Sequence, residues 1–347
     1  MKCVVVGDIF ITPEMMEKAM GFYHDRFREV KSFYFGNKDR QNMRDVVKTI
    51  EMGGPYSVKP PDGVLEELSD ADVLMVHLCP VTKEMIHAAK KLKVILCNRG
   101  GIENIDIDEV NSCKIPILTN PAHNANAVAE YTIGLIFNEL RNISRAYVSL
   151  REHCWREHFP NSENIKELKN MTVGIIGYGA VGRLVTEKLR GFDCRVIIYD
   201  PYVDNDDDSG NPNIRFVPMD YLLRESDIVT MHARSVNKKP IIGEKELKLM
   251  KDDAYLINTS RSYMLDMDAL YTALKNNWIK GAAVDVFPVE PLQKDEPLLT
   301  LDNITLTNHR GGDTLNAYSD SPLMMLREAE KLFENETPRY WYNKNMI

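Results

Sequence analysis

The chain has 347 residues and a formal net charge of −8, from 43 Lys and Arg against 51 Asp and Glu. Because nucleic-acid phosphates require a basic surface, we do not expect this acidic chain to bind nucleic acid. Its 44% hydrophobic and 27% charged residues are typical of a globular protein, and its length predicts about two domains.

The cysteines and the apolar runs predict the compartment. No two cysteines are closer than 16 residues in sequence, a spacing that fits neither a zinc site nor a redox pair. We expect reduced thiols packed as small apolar groups. No apolar run reaches the ~18 residues of a membrane span, and the amino terminus lacks the features of a signal peptide. A cytoplasmic protein that binds no metal and no membrane is therefore expected. The cysteines are Cys3, Cys79, Cys97, Cys113, Cys154 and Cys194.

The first third of the chain alternates short apolar runs with amphipathic segments. Runs of this βα type predict a parallel sheet covered by helices. The candidate strands are Val4–Val6, Val73–Val76, Val94–Leu96 and Ile115–Leu118, and the candidate helices are Pro13–Val30 and Lys83–Lys91.

One long amphipathic segment runs from Asn124 to about Arg151. Asn124 is a good N-cap, apolar side chains recur at helical spacing, and Gly134 is the only glycine inside the segment. About 25 residues would form a helix about 40 Å long. Since helices of this length often connect domains, a domain boundary is predicted just before it.

A second series of alternating strands and helices follows this helix. Six parallel strands with helices on both faces form the doubly wound dinucleotide-binding pattern. An acidic loop, Asp204–Gly210, interrupts the series, and we interpret it as solvated rather than as a calcium loop, because Ser209 and Arg215 stand where the turn glycine and the bidentate glutamate belong. The six candidate strands are Thr172–Ile176, Arg195–Tyr199, Ile228–His232, Tyr255–Asn258, Ala282–Val286 and Ile304–Thr307.

The most informative local motif is the run Gly177-Tyr-Gly-Ala-Val-Gly182, between the strand Thr172–Ile176 and a predicted helix over Arg183–Arg190. Gly177 permits a tight turn, Gly179 lets the backbone approach a pyrophosphate, and Gly182 allows the helix to pack closely on the strand. The helix N-terminus attracts phosphates. In this context the motif predicts a dinucleotide-binding loop.

An acidic residue, Asp200, ends the next predicted strand, eighteen residues after Gly182. The motif requires an acid about 20 residues on, which binds the ribose hydroxyls. A carboxylate at this position repels a 2′-phosphate, and no arginine immediately follows it. The sequence therefore predicts NAD rather than NADP as cofactor.

Polar runs close the last three predicted strands: Asn258–Arg261, Asp285–Pro291 and Asn308–Gly312. Because ligands bind beyond the carboxyl ends of the strands in an open α/β sheet, we expect Arg261, Glu290 and His309 to converge beside one nicotinamide. Alone, the histidine could be structural, the glutamate an ordinary loop residue and the arginine solvated. The prediction depends on all three occurring at strand ends after a nucleotide-binding motif.

The three side chains have complementary chemistry. His309 can move a proton near neutral pH. Glu290 would orient the imidazole ring and favour its protonated form. Arg261 can hold a substrate carboxylate with two hydrogen bonds and polarise a carbonyl group. The set suits hydride transfer between nicotinamide and a carbon that carries a hydroxyl or carbonyl group.

These motifs make the chain resemble the D-isomer-specific 2-hydroxyacid dehydrogenases, the group that includes D-3-phosphoglycerate and glycerate dehydrogenases. The resemblance covers nearly the whole chain. The matching runs are Asn104–Asp106, Asn126–Glu130, Thr172–Gly182, Asn258–Arg261, Gly281–Pro291 and His309–Gly312.

The resemblance implies a fold and a set of site residues. The fold is a doubly wound Rossmann NAD-binding domain, residues 122–317, inserted into a smaller flavodoxin-like α/β substrate domain, residues 1–121 and 318–347. The implied catalytic residues are Arg261, Glu290 and His309. The implied cofactor residues are Gly177, Gly179, Ala180, Val181, Gly182, Asp200, His232, Ala233, Thr259, Ser260, Arg261, Asp285, His309 and Gly312. The implied substrate residues are Leu78, Cys79, Arg99, Gly100, Gly101 and Arg261. Free backbone amides at the Gly100-Gly101 loop would suit a carboxylate.

The chain departs from the family pattern at several positions. Ser262 stands where the family usually has glycine, Asn308 where it has proline, and Leu78 where phosphoglycerate enzymes commonly have a basic residue. These differences disfavour D-3-phosphoglycerate as substrate. Arg99 and Arg234 are alternative contacts for a phosphate, and His77 and His123 are candidates for residues that face the substrate cleft. A surface or packing role is the simpler interpretation of each of the four.

The sequence thus predicts an NAD-dependent enzyme, a homodimer by resemblance, that interconverts a D-2-hydroxy acid and a 2-oxo acid. The helix that starts near Asn124 is the expected interface element. A formate dehydrogenase-like enzyme is disfavoured, since that chemistry pairs the histidine with glutamine and Glu290 stands here. An NAD-sensing binding module, like the corepressors of the same fold, is the alternative from another functional class. The identity of the 2-hydroxy acid is left open.

Overall fold

The computed structural model describes residues 1–203, 214–233 and 239–347. The acidic loop Asp204–Gly210 and the candidate phosphate contact Arg234 lie outside these ranges. The described residues form two compact units, residues 1–124 with 314–347 (unit 1) and residues 125–313 (unit 2). These bounds differ from the predicted ones by three residues at the first boundary, where a helix begins at Ala125, and by four residues at the second.

Unit 1 contains a five-stranded sheet in which all strands are parallel. The strand order is β2-β1-β3-β4-β5, the flavodoxin-like order that was predicted. The strands are β1 (Lys2–Gly7), β2 (Glu29–Tyr34), β3 (Val73–Val76), β4 (Val94–Cys97) and β5 (Ile117–Thr119). The helices are α1 (Pro13–Gly21), α2 (Arg40–Gly53), α3 (Val64–Leu68), α4 (Lys83–Ala88), α5 (Ile107–Ser112), α12 (Leu315–Ser319) and α13 (Ser321–Phe333).

Both faces of the unit 1 sheet are buried. Val4, Leu74 and Ile95 point into the apolar cluster on one face, and Val5 and Met75 point into the cluster on the other face. Helix α13 contributes to the second cluster, so the C-terminal segment completes the core that the first 124 residues begin. Strands buried on both faces read as continuous apolar runs, which explains why these runs were recognisable in the sequence.

Unit 2 contains a seven-stranded parallel sheet with the order β12-β11-β10-β9-β6-β7-β8. This is the predicted doubly wound arrangement, in which β6 and β9 flank the point where the strand order reverses. The strands are β6 (Thr172–Ile176), β7 (Arg195–Tyr199), β8 (Ile214–Phe216), β9 (Ile228–Met231), β10 (Tyr255–Asn258), β11 (Gly281–Val284) and β12 (Ile304–Leu306). The helices are α6 (Ala125–Arg141), α7 (Ile143–Arg151), α8 (Ala180–Leu189), α9 (Met219–Glu225), α10 (Glu244–Leu247) and α11 (Met267–Lys275).

Two predicted helices were wrong in extent. The helix predicted over Pro13–Val30 ends at Gly21, and β2 begins at Glu29. The long helix is two helices, because Asn142 between α6 and α7 adopts a left-handed conformation with φ of 53°. Asparagine tolerates this conformation better than most residues. The Asn142 side chain is also buried and donates a hydrogen bond to Asn161 Oδ1 at 2.6 Å.

The cysteines match the prediction in part. All six are free, and Cys3, Cys79, Cys97 and Cys194 are buried. The other two, Cys113 and Cys154, are exposed, so the prediction that all six pack as small apolar groups was wrong. Within the described ranges, no helix combines the length and the apolar composition needed to cross a bilayer.

Candidate active site

Two of the three glycines in the Gly177–Gly182 loop have a steric reason to be glycine, and the third lies in open space. Gly177 has φ of 95°, and a Cβ there would lie 2.5 Å from the backbone N of Ala233. A Cβ on Gly182 would lie 2.1 Å from the carbonyl oxygen of Gly177. At Gly179 a Cβ would meet no described atom within 4 Å. The loop is therefore tight on two sides and open at Gly179, just before α8 begins at Ala180 and Val181.

Asp200 follows β7 and lies against this loop. Its Oδ2 accepts a hydrogen bond from the Tyr178 N–H at 2.7 Å, and its Oδ1 accepts one from the Tyr202 N–H at 2.8 Å. The Tyr178 ring packs edge-on against Phe216 of β8, with 5.3 Å between ring centroids. Strand β8, which the sequence analysis did not predict, thus supports Tyr178, whose N–H group positions Asp200.

His232 and Ala233 follow β9, next to the glycine loop. The backbone N–H of His232 donates to the Ile176 carbonyl at 2.7 Å, and its Nε2 lies 3.0 Å from the Thr230 hydroxyl. Its Nδ1 is buried and has no hydrogen-bond partner among the described residues. Burial lowers the pKa of His232 to about 3, so the ring is neutral at physiological pH.

The open side of Gly179, the N-terminus of α8 and the adjacent carboxylate fit a dinucleotide. The unpartnered Nδ1 of His232 is a further polar group that a ligand atom would satisfy. The features that the sequence predicted at Gly177, Gly179 and Asp200 therefore occur together in the structure.

Asn258 organises the loop that carries Arg261. The Asn258 side chain is fully buried, accepts hydrogen bonds from the N–H and hydroxyl of Ser260, and donates to the Arg261 carbonyl at 3.2 Å. Thr259 is also buried, and its hydroxyl lies 2.8 Å from that of Thr132 in α6. Arg261 is exposed and donates from Nη1 to the Ser260 carbonyl at 2.7 Å. The guanidinium thus extends from a rigid loop at the end of β10.

Glu290 and His309 form the predicted pair. Glu290 Oε2 lies 2.9 Å from His309 Nδ1, and Glu290 Oε1 accepts a hydrogen bond from the Phe287 N–H at 2.9 Å. Burial is the largest influence on Glu290 and raises its pKa, but these two hydrogen bonds together hold the pKa below its usual range. A carboxylate at Nδ1 keeps the ring proton on that nitrogen, so Nε2 remains for proton transfer.

Asp285 is almost fully buried and holds the loop around His309. Its Oδ1 accepts hydrogen bonds from the Thr307 hydroxyl at 2.6 Å and the Arg310 N–H at 2.9 Å. Its Oδ2 accepts one from the Gly311 N–H at 2.9 Å. The sequence placed Asp285 and Gly312 along the cofactor, and this supporting role of Asp285 was not predicted. Its position at the end of β11 is the signal that indicates a functional role.

The predicted substrate residues of unit 1 lie at the ends of β3 and β4. The side chains of Leu78 and Cys79 are buried in the apolar core, and burial raises the pKa of the Cys79 thiol well above its usual value. Arg99 pairs with Glu51 at 3.0 Å and with Glu103 at 3.3 Å. At Gly100 and Gly101 a Cβ would crowd Pro121 and the Glu103 carboxylate.

Sequence and structure comparisons identify the relatives of this chain. Residues 133–311 match the family model of the D-isomer specific 2-hydroxyacid dehydrogenase NAD binding domain. The chain is 35% identical over 293 residues to the glyoxylate reductase of Thermofilum pendens, which covers 83% of this chain and 86% of that protein. It is also 35% identical over 299 residues to the D-3-phosphoglycerate dehydrogenase of Methanocaldococcus jannaschii, covering 84% of this chain and 56% of that protein.

A solved structure shares the fold. The NAD complexed form of the D-isomer specific 2-hydroxyacid dehydrogenase from Lactobacillus delbrueckii ssp. bulgaricus aligns with a TM-score of 0.75 and 21% identity over 98% of this chain and 99% of that one. The family model and the curated relatives go further, because the model spans residues 133–311 and these two relatives reach 35% identity over more than four fifths of this chain. The chain therefore belongs to the D-isomer specific 2-hydroxyacid dehydrogenases, a family of NAD-dependent oxidoreductases.

Proposed function

We propose that this protein interconverts a D-2-hydroxy acid and the corresponding 2-oxo acid, with Arg261, Glu290 and His309 as its catalytic residues. The observation that carries the proposal is the 2.9 Å contact between Glu290 Oε2 and His309 Nδ1 at the carboxyl ends of neighbouring strands. Such a pair leaves Nε2 to exchange a proton with a hydroxyl group.

The proposed mechanism assigns one task to each side chain. Arg261 binds the substrate carboxylate and polarises the carbonyl. On oxidation His309 Nε2 takes the hydroxyl proton, and on reduction it returns the proton to the carbonyl oxygen. Glu290 stabilises the imidazolium that forms on oxidation. The nicotinamide, when bound, supplies or receives the hydride at C2. Asp285 fixes the loop that carries His309.

We propose that the remaining predicted residues divide by unit. Unit 2 would hold NAD through the glycine loop, Asp200, the backbone at His232 and Ala233, and the loop Thr259–Arg261. Unit 1 would contact the substrate through the ends of β3 and β4. Because the side chains of Leu78 and Cys79 are buried, only their backbone is available for this task. In the Arg99–Gly101 segment, the Arg99 guanidinium and the glycine amides are the candidate contacts.

Two other functions make different predictions. A formate dehydrogenase-like enzyme needs no acid–base partner for its histidine, and the Glu290–His309 contact argues against it. An NAD-sensing corepressor-like module would bind NADH without consuming it. The test is NADH oxidation with glyoxylate, pyruvate, hydroxypyruvate, phosphohydroxypyruvate and longer sugar-derived 2-oxo acids. We expect turnover of at least one of them, and NADH binding without any turnover would favour the binding module.

We also propose that the protein is a homodimer and functions in the cytoplasm. Helix α7 exposes a group of large apolar side chains, which suits a protein interface. Unpaired cysteines are typical of a reducing compartment. Sedimentation at micromolar concentration as a single chain of 39.7 kDa would contradict the dimer. The exposed side chains are Ile143, Tyr147, Val148 and Leu150.

A further inference from the structure

Unit 1 contains a buried histidine–carboxylate pair. Asp8 directly follows β1 and His77 directly follows β3, and His77 Nδ1 lies 2.8 Å from Asp8 Oδ2. In the order β2-β1-β3-β4-β5, the two strands are neighbours at the point where the strand order reverses. Parallel α/β sheets bind ligands beyond the carboxyl ends of the strands at this point. The pair therefore occupies the position in unit 1 where the fold favours a ligand.

The surroundings of Asp8 fix the orientation of the imidazole ring. Asp8 is fully buried and accepts hydrogen bonds from the N–H groups of Phe10 at 2.9 Å, Ile11 at 3.2 Å and Leu78 at 3.2 Å. With His77, four donors hold the carboxyl group in one position. Because it accepts from His77 Nδ1, the ring proton lies on that nitrogen, and Nε2 carries a lone pair when the ring is neutral.

A buried asparagine side chain fixes the loop that carries His77. Asn104 is fully buried, and its Nδ2 donates to the carbonyls of His77 at 3.4 Å and Cys79 at 2.8 Å. The His77 side chain is 9% exposed. Within the described part of the chain, its Nε2 has no hydrogen-bond partner. A rigid, nearly buried ring with one nitrogen uncommitted is a preorganised hydrogen-bond acceptor.

Aromatic side chains flank the pair. The Phe10 ring lies edge-on to His77 with 6.4 Å between centroids, and the Tyr318 ring lies 6.0 Å from Phe10. The Arg40 guanidinium lies over the Phe10 ring, 5.9 Å from its centroid. These rings provide an apolar wall beside a single acceptor, the composition of a specific small-molecule subsite.

The nearby charges favour an uncharged ligand group. The Arg99 guanidinium already pairs with two carboxylates, Glu51 and Glu103. Burial lowers the pKa of His123, so this ring adds no positive charge at neutral pH. A phosphate or a second carboxylate would thus find Arg99 already neutralised and would have to recruit the exposed Arg40. A hydroxyl group needs no counter-charge and donates directly to Nε2.

We propose that His77, oriented by Asp8, is a specificity-determining residue that accepts a hydrogen bond from a hydroxyl group on the substrate chain beyond C2. The inference rests on the proposed function and narrows its substrate class to 2-hydroxy and 2-oxo acids with an uncharged, hydroxylated side chain. Alkyl and phosphorylated 2-oxo acids are poorer substrates.

The test compares hydroxypyruvate with pyruvate, which differ by one hydroxyl group, in NADH-dependent reduction by the full-length protein. We expect the wild type to prefer hydroxypyruvate in kcat/KM. His77→Phe, which keeps an aromatic ring and removes the acceptor, should lower kcat/KM for hydroxypyruvate about 10-fold or more, mainly through KM. For pyruvate the change should stay within about 3-fold, the size expected without a lost hydrogen bond.

His77→Gln provides the second variant, because its side-chain oxygen keeps an acceptor and should restore much of the hydroxypyruvate preference. Circular dichroism and NADH fluorescence would show that both variants are folded. Equal losses for the two substrates in both folded variants, or an unchanged preference in His77→Phe, would overturn the inference while leaving the proposed function intact. A wild type without a hydroxypyruvate preference would also overturn it. A wild type that reduces no 2-oxo acid would overturn the proposed function and this inference together.

Discussion

The carboxylate of Asp285 accepts a hydrogen bond from the backbone N–H of Gly311 at 2.9 Å, two residues beyond His309. The same carboxylate binds Thr307 and Arg310, so it fixes the chain on both sides of the histidine. His309 itself has φ of 56°, in the left-handed region that costs most residues about 1–3 kcal/mol. A buried acid outside the catalytic pair thus stabilises the backbone conformation that presents the imidazole ring.

Asp285→Asn is predicted to impair both catalysis and stability. An amide has one oxygen and one NH₂ group, so at least one of the three hydrogen bonds that Asp285 accepts would be lost. The NH₂ group would then face another donor. We expect kcat for 2-oxo acid reduction to fall about 10-fold or more, and the free energy of unfolding to fall by about 1–3 kcal/mol. Denaturant unfolding and steady-state kinetics measure the two effects.

Thr307→Val is the matched control for this change, since it removes only one of the three hydrogen bonds to Asp285. Its losses should be clearly smaller in both measurements. Wild-type kcat and stability in Asp285→Asn would mean that the carboxylate does not support the loop.

Glu290→Gln is predicted to impair catalysis by disturbing the orientation of His309. Burial raises the pKa of Glu290, but its hydrogen bonds with the Phe287 N–H and with His309 hold that pKa below its usual range, so Glu290 is a carboxylate at neutral pH. A glutamine can present its NH₂ group to His309 Nδ1 and so remove the acceptor that keeps the ring proton on that nitrogen. We expect kcat/KM for reduction to fall about 10-fold or more at neutral pH. An unchanged kcat/KM in Glu290→Gln would show that Glu290 does not act on the histidine.

Asp200→Ser is predicted to weaken the discrimination against NADPH. The carboxylate repels a 2′-phosphate, and the shorter hydroxyl keeps a hydrogen-bonding group beside the Tyr178 N–H. We expect the ratio of kcat/KM for NADH to that for NADPH to fall about 10-fold or more, which corresponds to about 1.4 kcal/mol. Asp220→Ser removes the same charge from an exposed position on α9 and should leave the ratio unchanged. An unchanged ratio in Asp200→Ser would remove Asp200 from cofactor recognition.

The sequence predicted those strands in which several consecutive residues are buried. Strands such as β3 and β10 are apolar throughout and were recognised. The strands β2 and β8 were not, because almost all of their side chains are half-exposed or exposed, so they form no apolar run. The break at Asn142 depends on a contact with Asn161, nineteen residues away, which no helical periodicity reveals.

The site divides in the same way. The glycine loop and the Glu290–His309 pair were predicted because motif and strand-end rules apply to them directly. Asp8 also follows a strand, so the same rule could have identified it, but its partner His77 lies 69 residues away. The loop-holding role of Asp285 depends on where the chain returns after β12, which is a property of the folded structure.

We propose that His309 exchanges the proton at the substrate oxygen. The most direct measurement is NADH-dependent reduction of the best 2-oxo acid by His309→Ala, with NADH binding measured by fluorescence. We expect kcat/KM to fall about 10²- to 10⁴-fold while NADH still binds. His158→Ala, an exposed histidine of the same unit, should behave like the wild type. Near-wild-type turnover by His309→Ala would show that His309 does not carry the proton.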